Sequence, residues 1–422
     1  MEFPRCTCIV PEVENKKNSL RIRCIDYLRG LCILDMILTH GLSFWLIKSS
    51  IWLFVVEGVL FGSVGEVGFV FVSGIGFGFS AAKEAQGTTN TKDQNLRSLS
   101  HTLALLFVSI CFNIAYSITN PNDVFGIISW QILQTLAVCR LLSLIFKRVK
   151  KFERLVIAVG LFAVGSLLLN WINFGQSDDL PATIFFVLLY NPLPYYPIMI
   201  FFPIFLIGTA LGEDFNKVSQ NPTTFGEVSK QWVVIGSYLL FTGFILGFPL
   251  ETQTPYNGRD LLSMLHTNPS IQITTYPLFL DLNSYAWCLF FSGVIILLAI
   301  SLFYYLDLKN AGKSTTPAPR PKGILDLYGR YSLTIYLGHY AAFLIPPQWD
   351  ASGIWLPTLA LLLGIWLIIW ILDKKGKGKY SLEFLLSFTG ESLYRKLKKK
   401  MESSESDHRE KREIRARTTP FC

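Results

Sequence analysis

Residues 23–40 read RCIDYLRGLCILDMILTH, an apolar run that carries Asp26, Arg29, Asp35 and His40. Apolar blocks of similar length recur along the 422-residue chain, which is 51% hydrophobic and only 16% charged. Blocks of roughly twenty residues match the thickness of a bilayer. The sequence therefore predicts an integral membrane protein and excludes a soluble globular one.

Ten such blocks, separated by charged or Pro/Gly-rich breaks, are predicted as membrane spans. They lie at 28–47, 64–82, 98–118, 124–146, 154–174, 195–212, 231–249, 284–306, 329–347 and 352–372. A shorter apolar run at 180–194 suits a re-entrant or interfacial piece and is the candidate for an eleventh element. The expected fold class is all-α, a polytopic bundle of about ten membrane helices.

The basic residues lie on one side of this predicted bundle. With ten alternating spans, 35 of the 38 Lys and Arg residues fall in or beside the two tails and the loops that follow even-numbered spans. Lys48 and Arg259 fall on the other side, and Arg140 lies within a span. Since cytoplasmic loops are enriched in Lys and Arg, both termini are predicted to be cytoplasmic.

The chain divides into three parts: a polar tail at 1–20 without the features of a cleavable signal peptide, a membrane domain at 21–373 and a basic cytoplasmic tail at 374–422. We expect the last part to be largely disordered beyond about residue 400, either solvated or lying against anionic lipid. The net charge of +8 therefore requires no nucleic-acid partner. The scattered cysteines indicate neither a metal site nor a disulfide framework.

Ionisable side chains in the first span point to chemistry. Arg29 and His40 are 11 residues apart, so they share one helix face about 16 Å apart along the axis, with Asp26 nearby and Asp35 about 120° away. Such residues usually face a protein interior or a wet cavity, because burial in lipid costs about 2.5–3.5 kcal/mol. His40, near the midplane, is suited to accept a proton from a hydroxyl or an amine. Arg29, at the cytoplasmic mouth, is suited to bind phosphate.

A structural interpretation competes with this one. Asp26 and Arg29 could pair at the end of the helix, and His40 could make an interhelical hydrogen bond. His339, in the ninth span, is predicted to reach nearly the same depth as His40 because both spans run outward. Two midplane histidines at matched depth in a chain with five favour a shared cavity.

Other spans contribute weaker candidates. Gly74 and Gly78 form a small-xxx-small pair that indicates close helix packing, and Glu66 lies near the outer end of the same span. Gln131 and Gln134 are one turn apart and suit the wall of a polar cavity.

Arg140, near the cytoplasmic end of its span, either snorkels to the surface or joins Arg29 in holding phosphate. The long outer loop at 250–283 carries Arg259 and His266, which suit contact with a polar acceptor.

Taken in order, these motifs resemble those of the transmembrane acyltransferases, a group that includes the acyltransferase type 3 family and the catalytic domain of heparan-α-glucosaminide N-acetyltransferase. In this chain, Asp26-x-x-Arg29-Gly30 followed by His40 is similar to the first-helix motif of that group. The residues at 71–74 are similar to its second-helix motif. The residues at 329–339 resemble the late-helix motif. The stretches at 125–134 and 203–208 are more similar to the heparan-acetyltransferase branch.

This resemblance implies a membrane-bound acyltransferase that moves an acyl group, expected to be acetyl, from cytoplasmic acyl-CoA. The expected acceptor is a hydroxyl or an amine of an extracytoplasmic glycan or glycolipid. By this resemblance, His40 is the catalytic histidine and Arg29 supports the donor site. Together with the residues singled out from the sequence, this gives three predicted groups: a catalytic group of His40, Arg29 and Asp26; an acyl-CoA-binding group of Arg29, Arg140, Ser73, Gln131 and Gln134; and an acceptor-binding group of His339, Glu66, Tyr336, Arg259 and His266. No metal is expected. The expected location is the cell (cytoplasmic) membrane rather than an endolysosomal one, and a homodimer is compatible with the sequence.

Two other functions remain open on the sequence. Intramembrane ionisable residues also mark the paths of transporters, so a multi-pass permease for a small solute is the alternative. A catalytically inactive relative that acts as a membrane scaffold is the third, although retention of both Arg29 and His40 argues against it.

Overall fold

The structure is a computed structural model, and its described residues are 22–50, 52–61, 63–86, 91–119, 130–174, 189, 196–247, 285–309, 323–344, 348–376 and 378–418. These residues form helices and no β-strand, with one isolated bridge between Leu46 and Trp349. The predicted all-helical class is therefore confirmed for this part of the chain. The tail at 1–20, most of the segment at 180–194 and the outer loop at 250–283 lie outside it.

The α-helices in chain order are α1 Arg23–Trp45, α2 Trp52–Phe61, α3 Gly68–Ala85, α4 Thr91–Thr119, α5 Ile132–Phe146, α6 Lys151–Phe174, α7 Ile198–Gln220, α8 Phe225–Gly247, α9 Tyr285–Phe303, α10 Ile324–Arg330, α11 Ser332–Gly338, α12 Trp355–Gly376 and α13 Leu382–Thr418. A π-helical turn, Ser63–Val67, leads into α3, and another, Tyr304–Leu308, extends α9. A 3₁₀ turn, His339–Leu344, continues α11.

Six stretches in the described part of the chain are long and apolar enough to cross a membrane: Val64–Ala85, Lys92–Ala115, Ile198–Gln220, Pro222–Gly247, Tyr285–Leu308 and Trp355–Gly376. All six overlap predicted spans. α1 is as long, but Arg29, Asp35 and His40 reduce its apolar character. The short α2 was not predicted from the sequence; it lies between the first two spans.

Glycines let α3 and α7 pack backbone to backbone. A Cβ atom on Gly74 would overlap the carbonyl oxygen of Phe205, and one on Gly78 would overlap that of Thr209. Gly208 and Gly212 meet the carbonyls of α3 in the same way. The small-xxx-small pair predicted on α3 therefore has a matching pair on α7, and this crossing lies in the main core.

A second glycine crossing joins α1 to α10. A Cβ atom on Gly30 would overlap the carbonyl oxygen of Leu325, and one on Gly329 would overlap that of Asp26. Each glycine thus faces the carbonyl four residues before the other, which is the geometry of two helices running the same way. The crossing fixes the late-helix motif against the first helix.

The predicted single span at 329–347 is wrong in one respect, because the helix breaks. α10 ends at Arg330 and α11 begins at Ser332, with Tyr331 between them at φ −109° and ψ 30°. The side chains of Tyr331 and Arg330 donate hydrogen bonds of 2.8 and 3.2 Å to the carboxylate of Asp373 on α12. These two bonds hold the chain in the non-helical turn.

The C-terminal segment also differs from its predicted form. Where the sequence predicts a tail largely disordered beyond about residue 400, the chain is helical from Leu382 to Thr418. Lys, Glu, Arg and Leu, which favour helix, dominate its first half and breakers are few. α13 packs against α4 through the ion pairs Arg97–Glu391 and Lys398–Asp93.

Candidate functional site

Two histidines from separate helices meet at the centre of the site. Nδ1 of His40, on α1, lies 2.7 Å from Nε2 of His339, at the end of α11. The two ring planes are 3° apart, so the rings are nearly parallel. His339 is 2% exposed. The structure therefore brings together the two histidines that the sequence placed at matched depth.

The second nitrogen of His339 sets the direction of the hydrogen bonds. Its Nδ1 lies 2.7 Å from the carbonyl oxygen of Tyr336 and 3.2 Å from that of Ile335. A carbonyl only accepts, so this Nδ1 carries a proton. With both rings neutral, Nε2 of His339 is the acceptor and Nδ1 of His40 the donor. Nε2 of His40 is then left with its lone pair, which is the form that a general base requires.

We call the small cavity beside His40 the histidine pocket. Its volume is about 40 Å³, enough for a hydroxyl or amino group and little more. The hydroxyl of Tyr196 donates a 3.2 Å hydrogen bond to Glu66 in its wall. The other lining residues are Cys32, Asp35, Met36, Thr39, His40, Gly65, Phe69, Ile132 and Tyr336. Glu66 and Tyr336, two predicted acceptor-binding residues, therefore lie in the same pocket as His40.

Carboxyl groups gather on this side of the site. Asp35 and Glu57 are 4% and 5% exposed, and Thr39 donates a 2.7 Å hydrogen bond to Glu57. Asp35 and His40 lie at opposite edges of one broad face of α1, since the lining residues Cys32, Asp35, Met36, Thr39 and His40 recur at the spacing of a single helix face. Glu57, on α2, was not identified from the sequence, since that helix lies between two predicted spans. Within the described ranges, no group of three His, Cys, Asp or Glu side chains could hold a metal ion.

A larger cavity, which we call the basic cavity, lies beside the N-terminal part of α1. Its volume is about 830 Å³, within the range of pockets that hold cofactors. Two acidic side chains, Asp26 and Glu84, line this cavity. Five basic side chains line it as well: Arg29, Lys83, Arg97, Arg140 and Lys147. Lys147 pairs with Glu84 at 2.8 Å. The cavity therefore has a cationic wall suited to phosphate.

The two cavities follow one another along α1, α3 and α5. On each helix, the last residue that lines the basic cavity and the first that lines the histidine pocket are three or four positions apart. These pairs are Arg29 and Cys32, Ser73 and Phe69, and Leu136 and Ile132. That spacing is one helical turn, about 5 Å. The numbering rises toward the histidine pocket on α1 and falls toward it on α3 and α5. α1 thus runs opposite to α3 and α5, as the alternating spans predict.

The predicted donor residues separate into two groups. Arg29, Arg140 and Ser73 line the basic cavity, as does Asp26. Gln131 and Gln134 are not among the described residues that line it. Both lie nearer the other end of α5, and Gln134 accepts a 2.5 Å hydrogen bond from Asn113 on α4. Of the predicted acceptor residues, Arg259 and His266 lie outside the described part of the chain.

Comparison with known proteins identifies a family. No curated protein matches the chain. A family model described as heparan-alpha-glucosaminide N-acetyltransferase, catalytic, matches residues 21–249. The match includes Arg29 and His40 and ends before His339, so it covers α1 to α8 and more than half of the sequence. The chain is an integral membrane protein that belongs to the heparan-alpha-glucosaminide N-acetyltransferase catalytic-domain family.

Proposed function

We propose that this protein transfers an acyl group, normally acetyl, from acyl-CoA in the basic cavity to a hydroxyl or an amine presented in the histidine pocket. The acceptor is a glycan or a glycolipid on the extracytoplasmic side. The cytoplasmic side is the side of the basic cavity, since the predicted loops there carry nearly all the Lys and Arg residues.

The basic cavity suits the phosphate-bearing half of the donor. Coenzyme A carries several phosphate charges, and five cationic side chains line the cavity. Arg29 and Arg140 can each offer a planar pair of donors to phosphate, which a lysine cannot. Ser73 lies at the end of the basic cavity nearest the histidine pocket. Its hydroxyl donates a 2.8 Å hydrogen bond to the carbonyl oxygen of Phe69. The thioester would lie beyond Ser73, toward His40.

His40 is the general base in this proposal. Its Nε2 takes the proton from the acceptor hydroxyl or amine as that group attacks the thioester carbonyl carbon. The new C–O or C–N bond forms, the C–S bond breaks, and the CoA thiolate leaves and takes up a proton. Positive charge on His40 is stabilised by the hydrogen bond that its Nδ1–H donates to His339. A second route, in which Nε2 itself attacks the thioester and carries the acyl group briefly, uses the same lone pair.

The observation that carries this proposal is the one-turn separation of the two cavities along α1, α3 and α5. A donor held by phosphate on one side and an acceptor held on the other would meet near His40. Neither substrate would need to cross the bundle. A plain interhelical role for His40 would not require a cavity on each side.

The remaining proposals concern partners and location. Arg259 and His266, in the outer loop, are proposed to contact the sugar beyond its reacting group. The protein is proposed to reside in the cell (cytoplasmic) membrane, surrounded by membrane lipid, with both termini in the cytoplasm. It is also proposed to form a homodimer.

The test uses the full chain in detergent or nanodiscs with radiolabelled acetyl-CoA and a panel of glycans and glycolipids. The wild type should transfer label, and His40→Ala should reduce the transfer to background. His408→Ala, in the C-terminal helix far from both cavities along the chain, is the matched control and should retain wild-type transfer. Equal transfer by His40→Ala would refute the assignment. Uptake of a solute by liposomes without dependence on CoA would favour the permease instead.

A further inference from the structure

The N-terminus of α11 is held by a carboxylate from another helix. Glu383, on α13, accepts hydrogen bonds from the backbone N–H groups of Leu333 at 2.6 Å and Thr334 at 3.0 Å. The hydroxyl of Thr334 donates a further bond of 2.5 Å to the same carboxylate. These N–H groups belong to the first turn of α11, where no carbonyl of the helix itself can reach them.

Hydrogen bonds between α11 and α13 are donated from both helices. Thr334 Oγ1 accepts a 2.9 Å hydrogen bond from the backbone N–H of Leu382, the first residue of α13. Glu383 and Thr334 therefore join the first turns of α11 and α13. Since α13 is also paired with α4 through Glu391 and Lys398, the carboxylate of Glu383 sits on a fixed support.

α11 in turn determines where His339 lies. His339 follows the last residue of this seven-residue helix, and its Nδ1 bonds to the carbonyls of Ile335 and Tyr336 within it. The non-helical turn at Tyr331 separates α11 from α10. α11 therefore depends on contacts outside the α1–α10 crossing for its position, and the Glu383 contacts are at its start.

We propose that Glu383 is a positioning residue that keeps His339 against His40, so that the C-terminal helix α13 is a working part of the acyl-transfer site. This inference rests on the proposed function. It assigns a role to a segment that lies beyond the residues matched by the family model.

The first test is a kinetic comparison of Glu383→Ala and Glu383→Gln in the full chain. Glu383→Ala should lower kcat by about tenfold to a hundredfold, the scale expected of a misplaced catalytic group. KM for acetyl-CoA should change by less than about twofold, since the basic cavity is built from other helices. Glu383→Gln keeps an oxygen for the two N–H groups and should recover part of the loss. Glu402→Gln, on the exposed part of α13, should match wild type.

A double-mutant cycle separates positioning from general destabilisation. In a His339→Ala background, Glu383→Ala should cause less than about a twofold further loss of kcat, because the residue through which it acts is gone. The inference would be overturned if the kcat losses of the two single variants multiplied in the double variant, or if Glu383→Ala kept the wild-type kcat.

A third measurement does not depend on activity. Hydrogen exchange of the peptide covering 331–344 should speed up in Glu383→Ala, from Leu333 through His339, and should be unchanged in Glu402→Gln. If the wild type transfers no acyl group, the proposed function fails. The exchange pattern then still tests whether Glu383 holds α11 in place. Exchange equal to wild type in Glu383→Ala would reject it.

Discussion

Nδ1 of His40 lies 2.7 Å from Nε2 of His339, although the two residues are 299 positions apart in the chain. The register of the α1–α10 crossing accounts for the matched depth of the two residues. Gly30 and Gly329 mark the crossing point, and each histidine follows its glycine by ten residues. Because α1 and α10 run the same way, the equal spacing gives the two histidines similar depth. The non-helical turn at Tyr331 separates α10 from α11, so the contacts of α11 fix where the His339 ring lies within that depth.

Loss of the hydrogen-bond partner of His40 should slow the chemical step. We expect His339→Ala to lower kcat for acyl transfer by about a hundredfold, since the tautomer and orientation of a histidine base depend on the group that its other nitrogen contacts. His339→Gln, whose side-chain oxygen can accept from His40 Nδ1–H, should retain more activity than His339→Ala. Steady-state kinetics with saturating acetyl-CoA measures both, and equal activity in all three proteins would contradict the assigned hydrogen-bond direction.

Phosphate binding in the basic cavity should appear in KM rather than kcat. Replacing Arg140 by Gln removes a charge-assisted contact worth about 1.5–3 kcal/mol, so KM for acetyl-CoA should rise by about tenfold or more. Lys230→Gln, an exposed residue on α8, should leave KM unchanged. A kcat loss without a KM change in Arg140→Gln would show that this residue does not hold the donor.

The two chemical routes differ in what happens without an acceptor. If His40 acts only as a base, protein mixed with labelled acetyl-CoA alone should release no CoA and retain no label. A covalent route should release about one CoA per site in a burst and leave label on the protein, absent in His40→Ala. We expect no burst, because the histidine pocket, at about 40 Å³, is proposed to seat the acceptor group rather than an acyl group attached to His40. Quenched-flow measurement of CoA release decides between the routes.

The glycine crossing of α3 and α7 should tolerate no side chain. Gly74→Ala would place a methyl group against the carbonyl of Phe205, and overpacking of this kind costs about 1–3 kcal/mol. The thermal unfolding midpoint in detergent should fall. Gly160→Ala on α6, where nothing lies within 4 Å of the added atom, is the control and should equal or exceed wild type. Equal midpoints for both variants would mean that the crossing is looser than the structure indicates.

Local patterns predicted most of the helices because each span must satisfy its own backbone hydrogen bonds in lipid. Length and apolar content therefore located α3, α4, α7, α8, α9 and α12. The break at Tyr331 was not predictable in this way, since its cause is Asp373, 42 positions away. Likewise, the helix at 382–418 is attached through Glu383, Glu391 and Lys398, whose partners lie on other helices.

The sequence by itself determined that Arg29 and His40 share one helix, that they lie about three turns apart, and that the chain belongs among membrane acyltransferases. Helical periodicity and the cost of burying charge suffice for the first two conclusions. The third rests on the order and spacing of the motifs and on the family match at residues 21–249. Only the tertiary structure decided that His339 completes the pair, that Asp35 lies in the pocket wall, that Gln131 and Gln134 lie apart from the basic cavity, and that Glu383 holds α11. Each of these depends on how separate helices cross, and crossings are set by contacts between residues far apart in the chain.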